Sequence, residues 1–271
     1  GNLIVGYNEM GASFGDNRTG SHSVAIGTQN SYESWGGLVA GRENRVAGDY
    51  STVSGGTFNQ AAGVSSSISG GEAGFASGDQ SSITAGWENQ ATGLRSSVCG
   101  GRQASASGNY STVSGGFINA ASANYASVSG GTDNVAAGAG SSITGGTLNF
   151  ASGSGSTVVG GSSNQASASS VSILGGRDGQ GSGSHATLVG GRFGIASGDG
   201  ACVVGGQDNT ASGSHSVVVG GELNRSVDTW CVVSGGSGNT AGDASLALNA
   251  QSATVTGGCQ QTVATTCAVG P

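Results

Sequence analysis

The 271-residue sequence has no lysine, a single proline (Pro271), only 8% charged residues and only 5% aromatic ones; all eight basic residues are arginine. Each shortage removes a class of protein. Disordered chains are usually rich in charge and proline, and this chain is poor in both. Collagen requires glycine at every third position with abundant proline. A net charge of −7 offers no basic stripe to displace counterions from nucleic acid, and nothing to draw the chain to an anionic membrane surface. No apolar run approaches the roughly 20 residues of a membrane span. Neither nucleic-acid binding nor membrane insertion of this segment is expected. No secretory signal is visible and the chain opens on Gly1, so it reads as a segment of a longer protein.

What is abundant is glycine, with 56 residues, and its placement is periodic. Pairs recur at Gly55-Gly56, Gly70-Gly71, Gly100-Gly101, Gly115-Gly116 and onward to Gly235-Gly236, spaced by 15 residues or a multiple of 15, and Ala85-Gly86 keeps the register. With that register fixed, every fifteenth position from Leu38 through Val53, Ile68, Ile83 and Val98 to Val233 and Leu248 holds Val, Ile or Leu. A second row runs Ala61, Ala76, Ala91 and so on to Ala241, departing only at Gly181 and Ser226. A third holds Asn44, Asn59, Asn89, Asn119, Asn134, Asn149, Asn164, Asn209, Asn224 and Asn239.

Such a repeat is read before anything else, because it dictates the architecture. Side chains alternate faces along a strand, so Val53 is expected inside while Thr52 and Ser54 face out. The glycine pair and Gly63 are expected to make the two turns, through backbone angles a β-carbon resists. The asparagines suit a ladder of side-chain amides that satisfies turn backbone, and the alanine row marks a second short strand. No 3.6-residue stripe survives, which excludes helix. The fold class expected is all-β: a parallel β-solenoid, or β-roll, of about fifteen 15-residue coils. One Val and one Ala per coil is a thin core for so many ordered residues, so the solenoid is expected to gain core by self-association. The repeat domain is placed at 21–248, with an N-terminal cap or stalk junction at 1–20 and a C-terminal cap at 249–271, since solenoid ends must block edge pairing.

The segment Ser21-His22-Ser23-Val24-Ala25-Ile26-Gly27, followed by coils of the form S-x-V-x-G-G-x-x-N-x-A-x-G, resembles the heads of trimeric autotransporter adhesins over about residues 20 to 245. Those heads use S-V-A-I-G strands and N-x-A-x-G turns in coils one residue shorter than these. The opening Gly1-Asn2-Leu3-Ile4-Val5-Gly6-Tyr7-Asn8-Glu9 is also similar to bacterial surface proteins that place such a block after a coiled-coil stalk. The resemblance implies a left-handed β-roll, a parallel homotrimer, and an extracellular place on a bacterial cell surface or secreted fibre. The chain departs from the pattern in its longer period and its Gly-Gly pairs, and it carries neither stalk nor anchor.

The residues bear independently on assembly. The outward position after the valine row is small or hydroxylated early, at Ser54, Ser69, Thr84, Ser114, Ser129 and Thr144, then apolar at Val159, Leu174, Val189, Val204 and Val219. Five stacked apolar residues are either a subunit interface or a sign that later coils widen and take both strand faces into the core. Residues for a catalytic centre are missing. His22, His185 and His215 occur in related S-H-[AS] contexts that suit surface ladders, paired carboxylates are not evident, and the glycine turns open no helix as a phosphate loop would. No calcium nonapeptide recurs. No enzyme activity, metal or cofactor is expected.

Candidate binding residues are the large side chains of the variable turn rows. Trp87, Arg102 and Phe117 are consecutive in one row, with Trp87 and Arg102 placed for a cation–π contact. Tyr110 and Tyr125 line the other turn with Tyr50, His185, His215 and Trp230. They suit sugar or protein recognition, or else they cover the core edge and pack between chains. Cys259 and Cys267 could close a short disulfide in the C-terminal tail, or remain free thiols. The function expected is a non-enzymatic extracellular adhesin or fibre head that binds glycan or a surface protein and assembles with itself. The alternative is an ice-binding solenoid acting through the outward hydroxyls, such as Thr52 and Ser54, Ser67 and Ser69, and Thr112 and Ser114.

Overall fold

A computed structural model describes residues 1–6, 9, 15, 17–242, 252–264 and 269–270. Its described residues form an all-β parallel solenoid of about 15 coils with no helix. The chain divides into two compact units, Gly1–Asn134 and Val135–Pro271. In the first, strands such as Thr52–Val53, Ser67–Ile68 and Ser82–Ile83 stack into one parallel sheet, while Gln60–Ala61, Phe75–Ala76 and Gln90–Ala91 stack into a second. The second unit repeats this with Thr157–Val158 and Ser172–Ile173 in one sheet and Gln165–Ala166 and Gln180–Gly181 in the other.

The coil from Ser51 to Ser65 shows why. Val53, Ala61, Asn59 and Ser51 are fully buried, and Thr52 and Ser54 point away from them. Strand N–H groups donate to the following coil: Thr52 to the Ser66 carbonyl at 2.9 Å, Gln60 to that of Gly74 at 2.8 Å. The Asn59 amide closes three bonds inside. Its Nδ2 donates to the carbonyls of Gly55 (3.2 Å) and Gly71 (3.0 Å), and its Oδ1 accepts from the Gly74 amide (2.8 Å). A buried amide with three partners turns a desolvation penalty into a clamp between coils, as the asparagine row leads one to expect.

The turns differ from the expectation. Gly56 is left-handed at φ +84, but so are Phe58 at φ 58 and Ser65 at φ 56, and their rows remain left-handed through most coils. Gly63 serves a different purpose. A β-carbon on it would lie 2.2 Å from the Gly78 carbonyl oxygen, so close approach of coils selects it. Left-handed side chains cost about 1–2 kcal/mol each. Bonding of their N–H groups back to the preceding coil, Phe58 to Arg42 and Ser65 to Asp49, holds them in place.

The glycine pair divides in two. Gly56 aligns with Gly41, because Arg42 bridges to Thr57 and Val39 pairs with Val53. The strand Val39-Ala40-Gly41 has one glycine where Val53-Ser54-Gly55-Gly56 has two, so the first glycine of each pair is the added residue. The coils at Val24–Thr28 and Leu38–Arg42 are accordingly spaced by 14 residues, through the pairings Val24↔Leu38 and Leu38↔Thr52. This corrects the core row: Val39, fully buried, occupies it, and Leu38 sits in the outward row of Thr52. Counting back by 15 crosses a coil that lacks the extra glycine. At the other end Val233 pairs with Val255, 22 residues on. Leu248 lies outside the described residues. Paired strands also occur within the segments expected as caps, at Leu3–Val5, Thr254–Val255, Thr262–Val263 and Val269–Gly270.

The core is wider than one Val and one Ala. A further inward row holds Ser51, Ser66, Ser81, Ser96 and Ser111, with Ala126, Val171, Ala186, Ala201 and Cys231 at equivalent places. Val171 compensates Gly181, where a β-carbon would lie 2.3 Å from the valine Cγ1. The hydroxyls of Ser66, Ser81, Ser96, Ser111 and Ser141 are buried with no hydrogen-bond partner among the described residues. Such hydroxyls cost stability, so Ser96→Ala should leave stability unchanged or raise it, by up to about 1 kcal/mol. A clear drop in a thermal melt would show that this hydroxyl is satisfied after all.

Candidate functional site

The five candidate binding residues fall on two different turns. After the glycines, one residue per coil forms an isolated parallel bridge, and in the first unit the run is Thr57, Glu72, Trp87, Arg102, Phe117 and Thr132. Stacking fixes the geometry. The Arg102 guanidinium carbon lies 4.4 Å from the Trp87 ring centroid and 5.3 Å from that of Phe117, so the cation is held between two aromatic faces. Trp87 and Phe117 are half-buried beneath an exposed Arg102. Beside them Gln103 Nε2 donates to Glu88 Oε2 at 2.9 Å.

Tyr110 and Tyr125 sit on the other turn. Their rings stack in parallel with centroids 5.1 Å apart and planes 6° from parallel. Arg95 extends this stack, which sequence reasoning missed. Its Nη1 donates to the Tyr110 hydroxyl at 3.2 Å and its Nε to Gln80 Oε1 at 2.6 Å. Gln80, Arg95, Tyr110 and Tyr125 recur at 15-residue spacing, a signal that was present. Lower on this turn the Trp35 indole donates to His22 Nδ1 at 2.8 Å and packs edge-on against Tyr50. In the second unit His215 stacks on Trp230 at 4.3 Å, and His185 Nδ1 lies 3.3 Å from Asp199 Oδ1, a carboxylate neighbour the row reading overlooked.

Charge is used sparingly. Arg45 forks onto Glu33 with two 2.7 Å bonds, and the hydrogen bond to Glu33 pushes the guanidinium pKa further up. This pair is a clamp between neighbouring coils. No group of three or more metal-ligating side chains occurs among the described residues. No helix among them is long and apolar enough to cross a membrane.

The outward apolar row stands in solvent in this single chain. Val159 is 48% exposed, Leu174 52%, Val189 37%, Val204 36% and Val219 46%. Their inward neighbours Val158, Ile173, Leu188, Val203 and Val218 supply the core, so the later coils have not taken both faces inside.

The cysteines separate by burial. Cys99 and Cys259 are exposed, Cys202 is half-buried and Cys231 buried. Cys267, the expected partner of Cys259, lies outside the described residues. Burial pushes the Cys202 and Cys231 thiols up, away from the reactive thiolate. Labelling the native chain with a thiol reagent near pH 8, read by peptide mass mapping, should mark Cys99 promptly. Cys231 should react only on unfolding; equal rates at both sites would contradict the burial.

No protein-family model matches the chain, and a search of curated proteins finds no match.

Proposed function

We propose that this chain is a non-enzymatic extracellular adhesin or fibre head, working as a parallel homotrimer at a bacterial surface or on a secreted fibre. The observation that carries the reading is the row Val159, Leu174, Val189, Val204 and Val219, five stacked apolar residues exposed on an outer strand face. Covering such a face with copies of the same chain removes its apolar surface from water. The resemblance to trimeric autotransporter adhesin heads supports the same assembly. Its chief departure, the longer period, reduces to one added glycine that the coils at Val24–Thr28 and Leu38–Arg42 do without.

Ligand recognition is assigned to the Trp87, Arg102 and Phe117 stack. The two rings fix the faces of the guanidinium, its nitrogens have no hydrogen-bond partner among the described residues, and its edge can fork onto a carboxylate. An anionic glycan or a carboxylate-bearing surface suits it. The double substitution Trp87→Ala and Arg102→Ala should cut cell adhesion about tenfold or more while trimers persist, since a desolvated charge pair is worth roughly 1.5–3 kcal/mol. Loss of trimers without a specific adhesion defect would make the stack a packing patch.

The in-register hydroxyl row Thr52, Ser67, Ser82, Ser97, Thr112 and Ser127 favours ice binding as the second reading. Thermal hysteresis at millimolar protein would establish it, and its absence would remove it.

A further inference from the structure

The second unit carries a groove of about 390 Å³ on the outer side of its second sheet. One wall is Asp178, Phe193 and Asp208, and the other is Gln180, Ile195 and Thr210. The opposing rows are set by the coil itself. Gln180, Ile195 and Thr210 pair in register as successive strands. Asp178, Phe193 and Asp208 are left-handed, at φ 55, 53 and 53, and each N–H bonds to the preceding coil at 2.9 Å.

The first wall is braced by the residues just before it. Arg177 Nε donates to Asp178 Oδ2 at 3.0 Å, the Arg192 guanidinium covers Phe193 at 4.8 Å, and Gln207 Nε2 donates to Asp208 Oδ2 at 3.0 Å. Three of three side chains are thus held before any ligand arrives, which lowers the ordering cost of binding. The remaining Oδ1 of each aspartate, the Gln180 amide and the Thr210 hydroxyl have no partner among the described residues. Phe193, 38% exposed, and Ile195 add apolar surface between them.

We propose that this groove binds a neutral, hydroxyl-rich oligosaccharide in extended form, lying along the stacking direction. Two carboxylate acceptors ask for hydroxyl donors, and with Arg177 and Arg192 beside them the groove has no net positive charge to draw an anionic glycan. An aromatic ring and an isoleucine ask for an apolar C–H face. A pyranose chain offers both at once. A peptide adding as a strand finds no edge here, because strand N–H and C=O groups are already paired between coils. The lining repeats at the strand spacing of about 4.8 Å, close to the advance of one pyranose in an extended chain. The first unit carries a groove of about 300 Å³ from the same two rows, with Phe75, Glu88, Gln90 and Ser105 supplying the same kinds of group. The inference stands apart from the adhesin reading, using neither the trimer nor the Trp87 stack.

The test is calorimetric titration of the full chain with cellohexaose, chitohexaose and mannohexaose, and with a heparin hexasaccharide as the anionic control. At least one neutral hexasaccharide should bind, and the heparin fragment should not bind the chain that carries Trp87→Ala with Arg102→Ala. Phe193→Ala and Asp208→Asn should each weaken binding about tenfold. Melting should be unchanged in both, since Ala73 already occupies the equivalent left-handed place of Phe193. Trp87→Ala with Arg102→Ala should leave the neutral-sugar titration as it was. Failure of all three neutral sugars to bind at millimolar concentration, neutral-sugar binding indifferent to both groove variants, or tighter binding of heparin by the chain carrying Trp87→Ala with Arg102→Ala would each overturn the proposal.

Discussion

Replacing Gly116 by alanine should lower the thermal midpoint by on the order of 10 °C, while the same change at the adjacent Gly115 should be silent. The two glycines look interchangeable in sequence and are opposites in space. Gly116 is held at φ +89, and a β-carbon there would lie 2.2 Å from the Gly131 carbonyl oxygen and 2.4 Å from Asn119 Nδ2. The methyl group would enter the space of the buried amide that donates to the Gly115 and Gly131 carbonyls at 2.8 and 2.9 Å. Left-handed strain, a backbone shift and loosened amide bonds together come to about 3–5 kcal/mol. Gly115 has no atom within 4 Å of a built β-carbon, and Ala85 occupies its row already. Deleting Gly115 outright should also be tolerated, because it recreates the single-glycine coil seen at Val39-Ala40-Gly41. Equal damage at both glycines would show that the added residue is structural.

The double substitution Val189→Asp and Val204→Asp should convert trimers to monomers that keep their fold. Both side chains point out of the strand, 37% and 36% exposed, so a carboxylate there is harmless in an isolated chain. In an interface it must be desolvated without a partner, at several kcal/mol per trimer. A loss of about 4 kcal/mol is roughly a thousandfold in the association constant. Ser69→Asp, in the corresponding outward row of the first unit, should leave assembly nearly unchanged. Light scattering with circular dichroism separates the outcomes. Trimers that survive the double change would place the interface elsewhere.

Much of the coil was legible because stacking makes each row a repeated experiment. Val53, Ala61 and Asn59 recur, and the roles assigned to them are those they have. What the rows could not disclose was a change of period. The Gly-Gly spacing anchored the count, so it ran past the single-glycine coil and put Leu38 where Val39 belongs. The left-handed rows were hidden for another reason. Phe58, Ser65 and Tyr110 carry φ values that local preference would reserve for glycine, and only backbone bonds to the neighbouring coil make them tenable. The buried serine row was hidden because a hydroxyl at Ser66 carries no apolar signal, although alternation along the strand places it on the same face as Ile68. Of the candidate sites, the Trp87, Arg102 and Phe117 stack was readable from spacing alone. The grooves were not, because their walls come from two rows of mixed chemistry that carry no repeated letter.

The most direct test of the proposed homotrimer is the mass of the chain in solution. Sedimentation equilibrium at micromolar concentration should give a single species of three times the 25.7 kDa of one chain. A single species at 25.7 kDa would contradict the account.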